Sequence, residues 1–296
     1  MNPTPSRYQV WVLAARPKTL WASASPIIIG TAMAYEAGKG HLWSALAAMF
    51  AGVLLQVGAN FANDYIDHAK GVDTDDRLGP IRVTQAGMVT PSAMKVATAV
   101  VFTLAFLAGV YLVYRAGWPI VIVGLSSILF AFLYTGGPYP LGYHGWGDLF
   151  AFLFYGPVAT AGTFYVQALA VTPEVIIAGC APGLFSVSIL TVNNLRDIDS
   201  DARSGRKTLA VRFGRAFAQR EYALALLAAT VVVPIYLLLT TPGKPQLLIC
   251  ALTVIAAIPI IRSVNRDTGR VLNYTLAATG KLELMYAVLF SIAWLL

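Results

Sequence analysis

Charge is scarce in this chain, and histidine and cysteine are scarcer. Asp, Glu, Lys and Arg together make up 12% of the 296 residues, with three His and two Cys. A soluble domain carries about a quarter charged residues, so one or two soluble domains are excluded. Cys180 and Cys250 both lie inside apolar runs, which points to neither a disulfide framework nor a thiolate metal site.

What the chain has instead is length without charge. Runs free of Asp, Glu, Lys and Arg cover 19–35, 40–63, 96–114, 116–147, 149–173, 175–195, 222–243 and 245–261. All eight reach the roughly 17–25 apolar residues a spanning helix needs. A ninth, 284–296, reaches that length only when extended back toward 271 across Lys281 and Glu283. The expectation is an all-α polytopic membrane protein, one domain over 1–296, with about nine transmembrane helices. Arg7, Arg16 and Lys18 precede the first run and no small-residue cleavage pattern ends it, so the first span reads as retained.

The net charge of +7 follows from topology and needs no nucleic-acid partner. With the N-terminus inside and nine alternating spans, only Lys39, Arg115 and Lys244 of the 21 Lys and Arg fall outside. Short loops rich in Lys and Arg stay cytoplasmic. This places the N-terminus in and the C-terminus out, as expected for a multi-pass protein of the cell (inner) membrane.

The few acids are not spread evenly. Eight of the 14 (Asp64, Asp67, Asp73, Asp75, Asp76, Asp197, Asp199 and Asp201) fall in two loops, at about 62–94 and 195–220. Four spans separate these loops, so both open on one membrane face. Asn63 and Asp67 are four apart, as are Asn193, Asp197 and Asp201, and residues four apart share a helix face. The pattern N-x-x-x-D thus occurs twice, hinting at a weak internal repeat with a site between the halves.

Facing carboxylates repel unless a cation lies between them. Such hard oxygen donors suit Mg²⁺, which takes the rest of its shell from water and substrate phosphate. The same loops supply Arg77, Arg82, Arg196, Arg203, Arg206 and Lys207, and Arg is suited to bidentate phosphate recognition. Aspartates, a divalent metal and nearby cations together describe a diphosphate site at a membrane surface. Asp75, Asp76 and Asp199 taken singly read as surface charges, and Lys95, Arg215 and Arg220 as topology determinants. Gln56 and Asn60 precede Asp64 on the same span at four-residue steps, where buried amides must find partners.

The segments GANFANDYIDHAKGVD, DRLGPIR, YTGGPYPLGYHGWGD and NNLRDIDSDARSGRKTLAVRFG resemble the UbiA superfamily of intramembrane prenyltransferases. Within it they are most similar to the branch that prenylates 1,4-dihydroxy-2-naphthoate on the route to menaquinone. The resemblance runs from ARPKTL at 15–20 to the last spans. It implies a bundle of nine helices with the active site at the cytoplasmic end of a lipid-open cavity. It also implies Mg²⁺ held on the diphosphate of a polyprenyl donor, with an aromatic carboxylate as acceptor.

Carried over residue by residue, Asn63, Asp64 and Asp67 with Asp197 and Asp201 are the metal ligands. Asp73 joins the first motif and Asn193 and Asn194 the second, on the substrate side. Here the sequence departs from the commoner pattern, in which the third acid stands at Gly71. A second departure is loop 135–147, where other branches carry a lysine and this chain has none, leaving Tyr134 and Tyr139 as candidates in its place.

Arg77, Arg206 and Lys207 are expected to neutralise the leaving diphosphate. Phe61, Tyr65, Tyr134, Phe154 and Tyr155 are placed either to shield the allylic cation or simply to pack. Arg16 binds either the acceptor or the diphosphate, or anchors the first span; Asn60 supports the ligands. Lys281 either contacts the donor or pairs with an acid. Carbon dioxide and a proton leave the acceptor in this branch. A sister prenyltransferase with another aromatic acceptor, and a cation-coupled transporter, are the competing readings. A transporter would place its ionisable groups near mid-span, whereas here they gather at one face.

Overall fold

The computed structural model describes residues 5–70, 78–134 and 136–296. Among them there is no strand. The helices are α1 (Arg7–Ala15), α2 (Leu20–Glu36), α3 (Leu42–Lys70), α4 (Pro91–Ala116), α5 (Trp118–Leu133), α6 (Gly147–Phe154), α7 (Pro157–Ala168) and α8 (Pro173–Arg196). They continue as α9 (Ile198–Arg203), α10 (Leu209–Phe213), α11 (Arg215–Leu227), α12 (Val233–Thr240), α13 (Leu248–Ala251), α14 (Thr253–Arg266) and α15 (Leu272–Leu295). A π turn at Ala228–Val232 joins α11 to α12 in one rod.

Among the described residues, seven segments are long and apolar enough to cross a membrane. They are Leu42–Ala69, Pro91–Ala116, Gly147–Ala168, Pro173–Arg196, Arg215–Thr240, Pro245–Arg266 and Gly269–Leu295. Nine were expected. The difference falls on α2, 17 residues, and α5, 16 residues, both at or below the lower end of spanning length. α5 is shortened because the run 116–147 breaks after Tyr134 into a loop rich in Gly and Pro.

Packing sorts the helices by depth. α8 is the central helix, with 72% of its apolar window buried, whereas α4 has 11%. α4 turns Val96, Val100, Leu104 and Leu107 outward, as a lipid-facing helix does. α8 can be central because its residues are small where neighbours approach. A Cβ on Gly183 would lie 2.5 Å from the Phe152 carbonyl, and one on Gly156 would lie 2.7 Å from the Gly179 carbonyl. This glycine seam seats the break between α6 and α7 directly against α8. α15 packs along α2 and α8, and α3 along α4.

The two ends of the bundle differ in chemistry. At one end, Lys244 Nζ pairs with Glu36 at 3.0 Å and donates to the Trp294 carbonyl at 2.6 Å. At the opposite end lie the C-termini of α3 and α8, which carry both aspartate motifs. The expected convergence of the motifs at one end is observed.

Candidate active site

The site is built from four segments distant in sequence, one of them the loop after α3 that carries Arg82. α3 delivers Asn63, Asp64 and Asp67 in its last two turns. α8 ends at Arg196, Asp197 caps the junction, and α9 carries Asp201, whose N–H donates to the Asp197 carbonyl at 2.8 Å. Gly205 then adopts a left-handed φ of 75°, a conformation that glycine adopts without strain. This turn folds Arg206 back, its N–H donating to the Asp201 carbonyl at 2.9 Å. The third segment is the loop before α6, which contributes Tyr143.

Arg206 is the meeting point. Its guanidinium lies 3.6 Å from Asp67 and 3.4 Å from Asp201, so one cation stands between carboxylates 134 positions apart in the chain. Both acids are buried. Burial alone would lower the Arg206 pKa, but Asp67, Tyr143 and Asp201 outweigh it and raise it, so the group stays cationic. Asp67 also accepts from Arg82 Nη2 at 2.5 Å and from the Tyr143 hydroxyl at 3.1 Å. Burial first, and then the Asp67 carboxylate, push the Tyr143 hydroxyl up to about 12, so it remains a donor at any ordinary pH.

Asp64 acts on the backbone. Its two oxygens accept from the N–H groups of Val83 and Thr84 at 3.1 and 3.2 Å. Val83 is fully buried in a cluster with Phe61 and Met94. Asp64 therefore fixes the segment that aims Arg82 at Asp67. Asp197 is gripped by its neighbour Arg196 through Nε and Nη2 at 2.9 and 2.5 Å. Arg196 Nη1 donates to Asn273 Oδ1 at 2.7 Å, and Asn273 Nδ2 donates to the Leu78 carbonyl at 2.9 Å. This chain of bonds ties α8, α15 and the loop after α3 together.

The other expected residues divide. Asn63 lies one turn before Asp67, and Asn193 and Asn194 one turn before Asp197, all half-buried. Asn60 Nδ2 donates to the Ala15 carbonyl at 2.9 Å and to Thr19 Oγ1 at 3.1 Å, joining α3 to the start of α2. Arg16 caps α1 in a left-handed conformation, φ 52°. The Lys207 side chain is exposed, while its N–H donates to the Tyr143 carbonyl at 2.7 Å. Tyr134 packs its ring and hydroxyl against Gly142 and Gly147. Tyr139 is 52% exposed and stacks on His144 at 3.7 Å. Phe61 packs on Trp11, and Phe154 on Phe130. Lys281 is exposed. Asp73, Asp75, Asp76 and Arg77 lie outside the described residues.

Tyr143 and Asn273 are the functional contacts not foreseen. Tyr143 is the tyrosine of its loop that reaches Asp67, and periodicity gives no means of choosing among the tyrosines of an irregular loop. Among the described residues no three acidic, Cys or His side chains form a cage of their own. The carboxylates instead stand in a pair around a guanidinium. A divalent ion fits that donor chemistry: hard carboxylate oxygens already gathered around one cation, of the kind Mg²⁺ takes alongside phosphate oxygens and water.

Comparison with known proteins agrees with this architecture. The UbiA prenyltransferase family matches residues 23–277. A 1,4-dihydroxy-2-naphthoate octaprenyltransferase of Mycobacterium tuberculosis is 40% identical over 92% of this chain and 96% of its own. The Escherichia coli protein of the same name is 39% identical over 78% and 77%. Among solved structures, a UbiA homolog from Archaeoglobus fulgidus bound to GPP and Mg²⁺ superposes with a TM-score of 0.70 at 15% identity. That superposition covers 97% of this chain and 99% of the other, and it shows the shared fold. On the family match and on these relatives, the chain belongs to the UbiA prenyltransferase family.

Proposed function

We propose that this chain transfers a polyprenyl group from a polyprenyl diphosphate to 1,4-dihydroxy-2-naphthoate. Diphosphate, carbon dioxide and a proton are released, and demethylmenaquinol is formed for menaquinone biosynthesis. The observation that carries the reading is the Asp67–Arg206–Asp201 bridge, which brings both aspartate motifs to one point beside Arg82 and Tyr143. The acceptor is read from the similar naphthoate octaprenyltransferases.

The residues divide the work as follows. Asp67 and Asp201, with Asn63, Asp197 and the backbone-anchored Asp64 beside them, form the wall that would hold Mg²⁺. When bound, the metal neutralises the departing diphosphate as a Lewis acid, which stabilises developing oxyanion charge by several kcal/mol. Arg206 and Arg82 offer guanidinium donors to the phosphate oxygens, and Tyr143 offers its hydroxyl. By the sequence resemblance, Asp73, Arg77 and Lys207 would also serve the diphosphate. The C–O bond of the allylic diphosphate breaks, and the electron pair leaves with the diphosphate. A ring carbon of the acceptor forms the new C–C bond, and the carboxyl group departs as carbon dioxide and a proton.

The chain spans the membrane nine times in this reading, counting α2 and α5, with the site facing the cytoplasm. The test is product analysis. Purified protein, Mg²⁺ and a polyprenyl diphosphate are incubated with 1,4-dihydroxy-2-naphthoate labelled in its carboxyl carbon. Label released as carbon dioxide, with a product mass equal to prenyl plus naphthoquinol, supports the reading. Label retained on the product, or reaction only with 4-hydroxybenzoate, moves the chain to a sister branch.

A further inference from the structure

A second polar cluster lies deeper in the bundle, and the diphosphate chemistry leaves it unused. Glu283, on α15, is 1% exposed, and neither carboxylate oxygen has a hydrogen-bond partner among the described residues. An ionisable side chain inside a spanning helix is costly and marks function by default. Its surroundings are also unsatisfied. A Cβ on Gly280 would touch Trp21 of α2 and Ile189 of α8. α8 runs antiparallel to α15, so one turn onward from these contacts Ser186 comes level with Glu283. Ser25 of the parallel α2 lies about one turn further along, toward the level where Ser291 Oγ meets the Ile28 carbonyl at 3.5 Å. Both serine hydroxyls are buried without a partner. Three helices thus each present an orphaned polar group within about one turn of one another, where a buried polar atom is expected to be paired.

The cluster connects to the reaction end. The Tyr155 hydroxyl lies within electrostatic reach of Glu283 and donates to Gln56 Oε1 at 2.5 Å. Gln56 stands two turns along α3 from Asp64, roughly 12 Å by helix rise. A prenyl tail has no use for hydrogen bonds. A flat aromatic with hydroxyl groups does, and it must sit on the bundle side of the diphosphate for a ring carbon to reach the donor's first carbon.

We infer that Glu283, flanked by Ser25, Ser186 and Tyr155, is the seat for a hydroxyl group of the aromatic acceptor. The carboxyl accepts a hydrogen bond from that hydroxyl and orients the ring. This rests on the acceptor being a hydroxylated aromatic, as proposed above.

The test uses the purified full chain with Mg²⁺, a polyprenyl diphosphate and 1,4-dihydroxy-2-naphthoate. Glu283→Leu is expected to raise KM for the acceptor at least tenfold while KM for the donor stays within twofold. Glu283→Gln, which keeps size and one acceptor oxygen, gives a smaller rise with the same split, and Tyr155→Phe a rise of several-fold. Should the Leu variant fail to fold, the split in the Gln variant decides. An unchanged acceptor KM, or a rise in donor KM instead, overturns the seat. Equilibrium binding of the naphthoate without donor separates this idea from the enzymatic reading. Binding weakened by Glu283→Gln supports the seat whatever the turnover, and equal binding overturns it even where turnover is confirmed.

Discussion

Arg206 engages Tyr143 twice: its guanidinium carbon lies 4.4 Å from the ring centroid, and its Nη2 donates to the hydroxyl at 3.1 Å. That hydroxyl in turn donates to Asp67. Tyr143→Phe keeps the ring under the guanidinium and removes both hydrogen bonds. A hydrogen bond to a charged group contributes about 1.5–3 kcal/mol, so kcat is expected to fall about 10–100-fold with the fold intact. The folded pKa of Tyr143, about 12, lies above its ordinary value of 10.0. Its contribution to stability is therefore complete below the ordinary value and lost as pH rises through the folded one. Between pH 6 and 9 the wild-type rate should show no titration from this group; a step there that vanishes in Tyr143→Phe contradicts the assignment.

Asp67 and Arg82 are both almost wholly buried. Removing the acid from a buried ion pair destabilises by about 3–5 kcal/mol. Asp67→Ala should lower the melting temperature in detergent as well as abolish turnover. Asp67→Asn keeps the volume and a hydrogen-bond acceptor for Arg82, so it should melt closer to wild type while losing at least ~100-fold in rate, in line with a lost metal ligand. A fully active Asn variant removes Asp67 from the metal site.

Turnover should require Mg²⁺ or Mn²⁺, stop with excess chelator and return when either ion is added back. The donor set of aspartates with no thiolate or imidazole among them favours such hard ions. Rates that survive exhaustive chelation point to another way of activating the diphosphate.

Topology can be read independently by cysteine labelling in intact cells. Lys39 sits at the end of the bundle that carries the Lys244–Glu36 pair, and Ser204 at the end that carries Asp201. Lys39→Cys should react with an impermeant reagent from outside, and Ser204→Cys should not. The reverse pattern inverts the orientation.

The helical bundle was legible because the acids are so few: charge-free runs mark out the long helices almost directly. Seven of the nine expected spans are long helices among the described residues; α2 and α5 are shorter, and at α5 the charge-free run takes in loop residues such as 136–140. The aspartates of the site were legible from their four-residue spacing, which survives as helix geometry in Asn63 and Asp67. Partners were not. That Asp64 spends its oxygens on the Val83 and Thr84 backbone depends on how an irregular loop closes, as does the reach of Tyr143. Glu283 was visible only as a nuisance within a span, because one sequence does not show that three helices leave it unpaired together.

The Arg206 bridge makes this wall behave as an ion exchanger. Its two facing acids, Asp67 and Asp201, already have the Arg206 guanidinium between them and Arg82 on Asp67, so the protein does not hold them bare. On the proposed function, Asp67 and Asp201 would hold an incoming metal–diphosphate complex and the Arg206 guanidinium would then be available to the phosphate oxygens. Net charge in the pocket would change little through that exchange. Loading of the site should accordingly depend less on ionic strength than a cluster of eight aspartates would suggest.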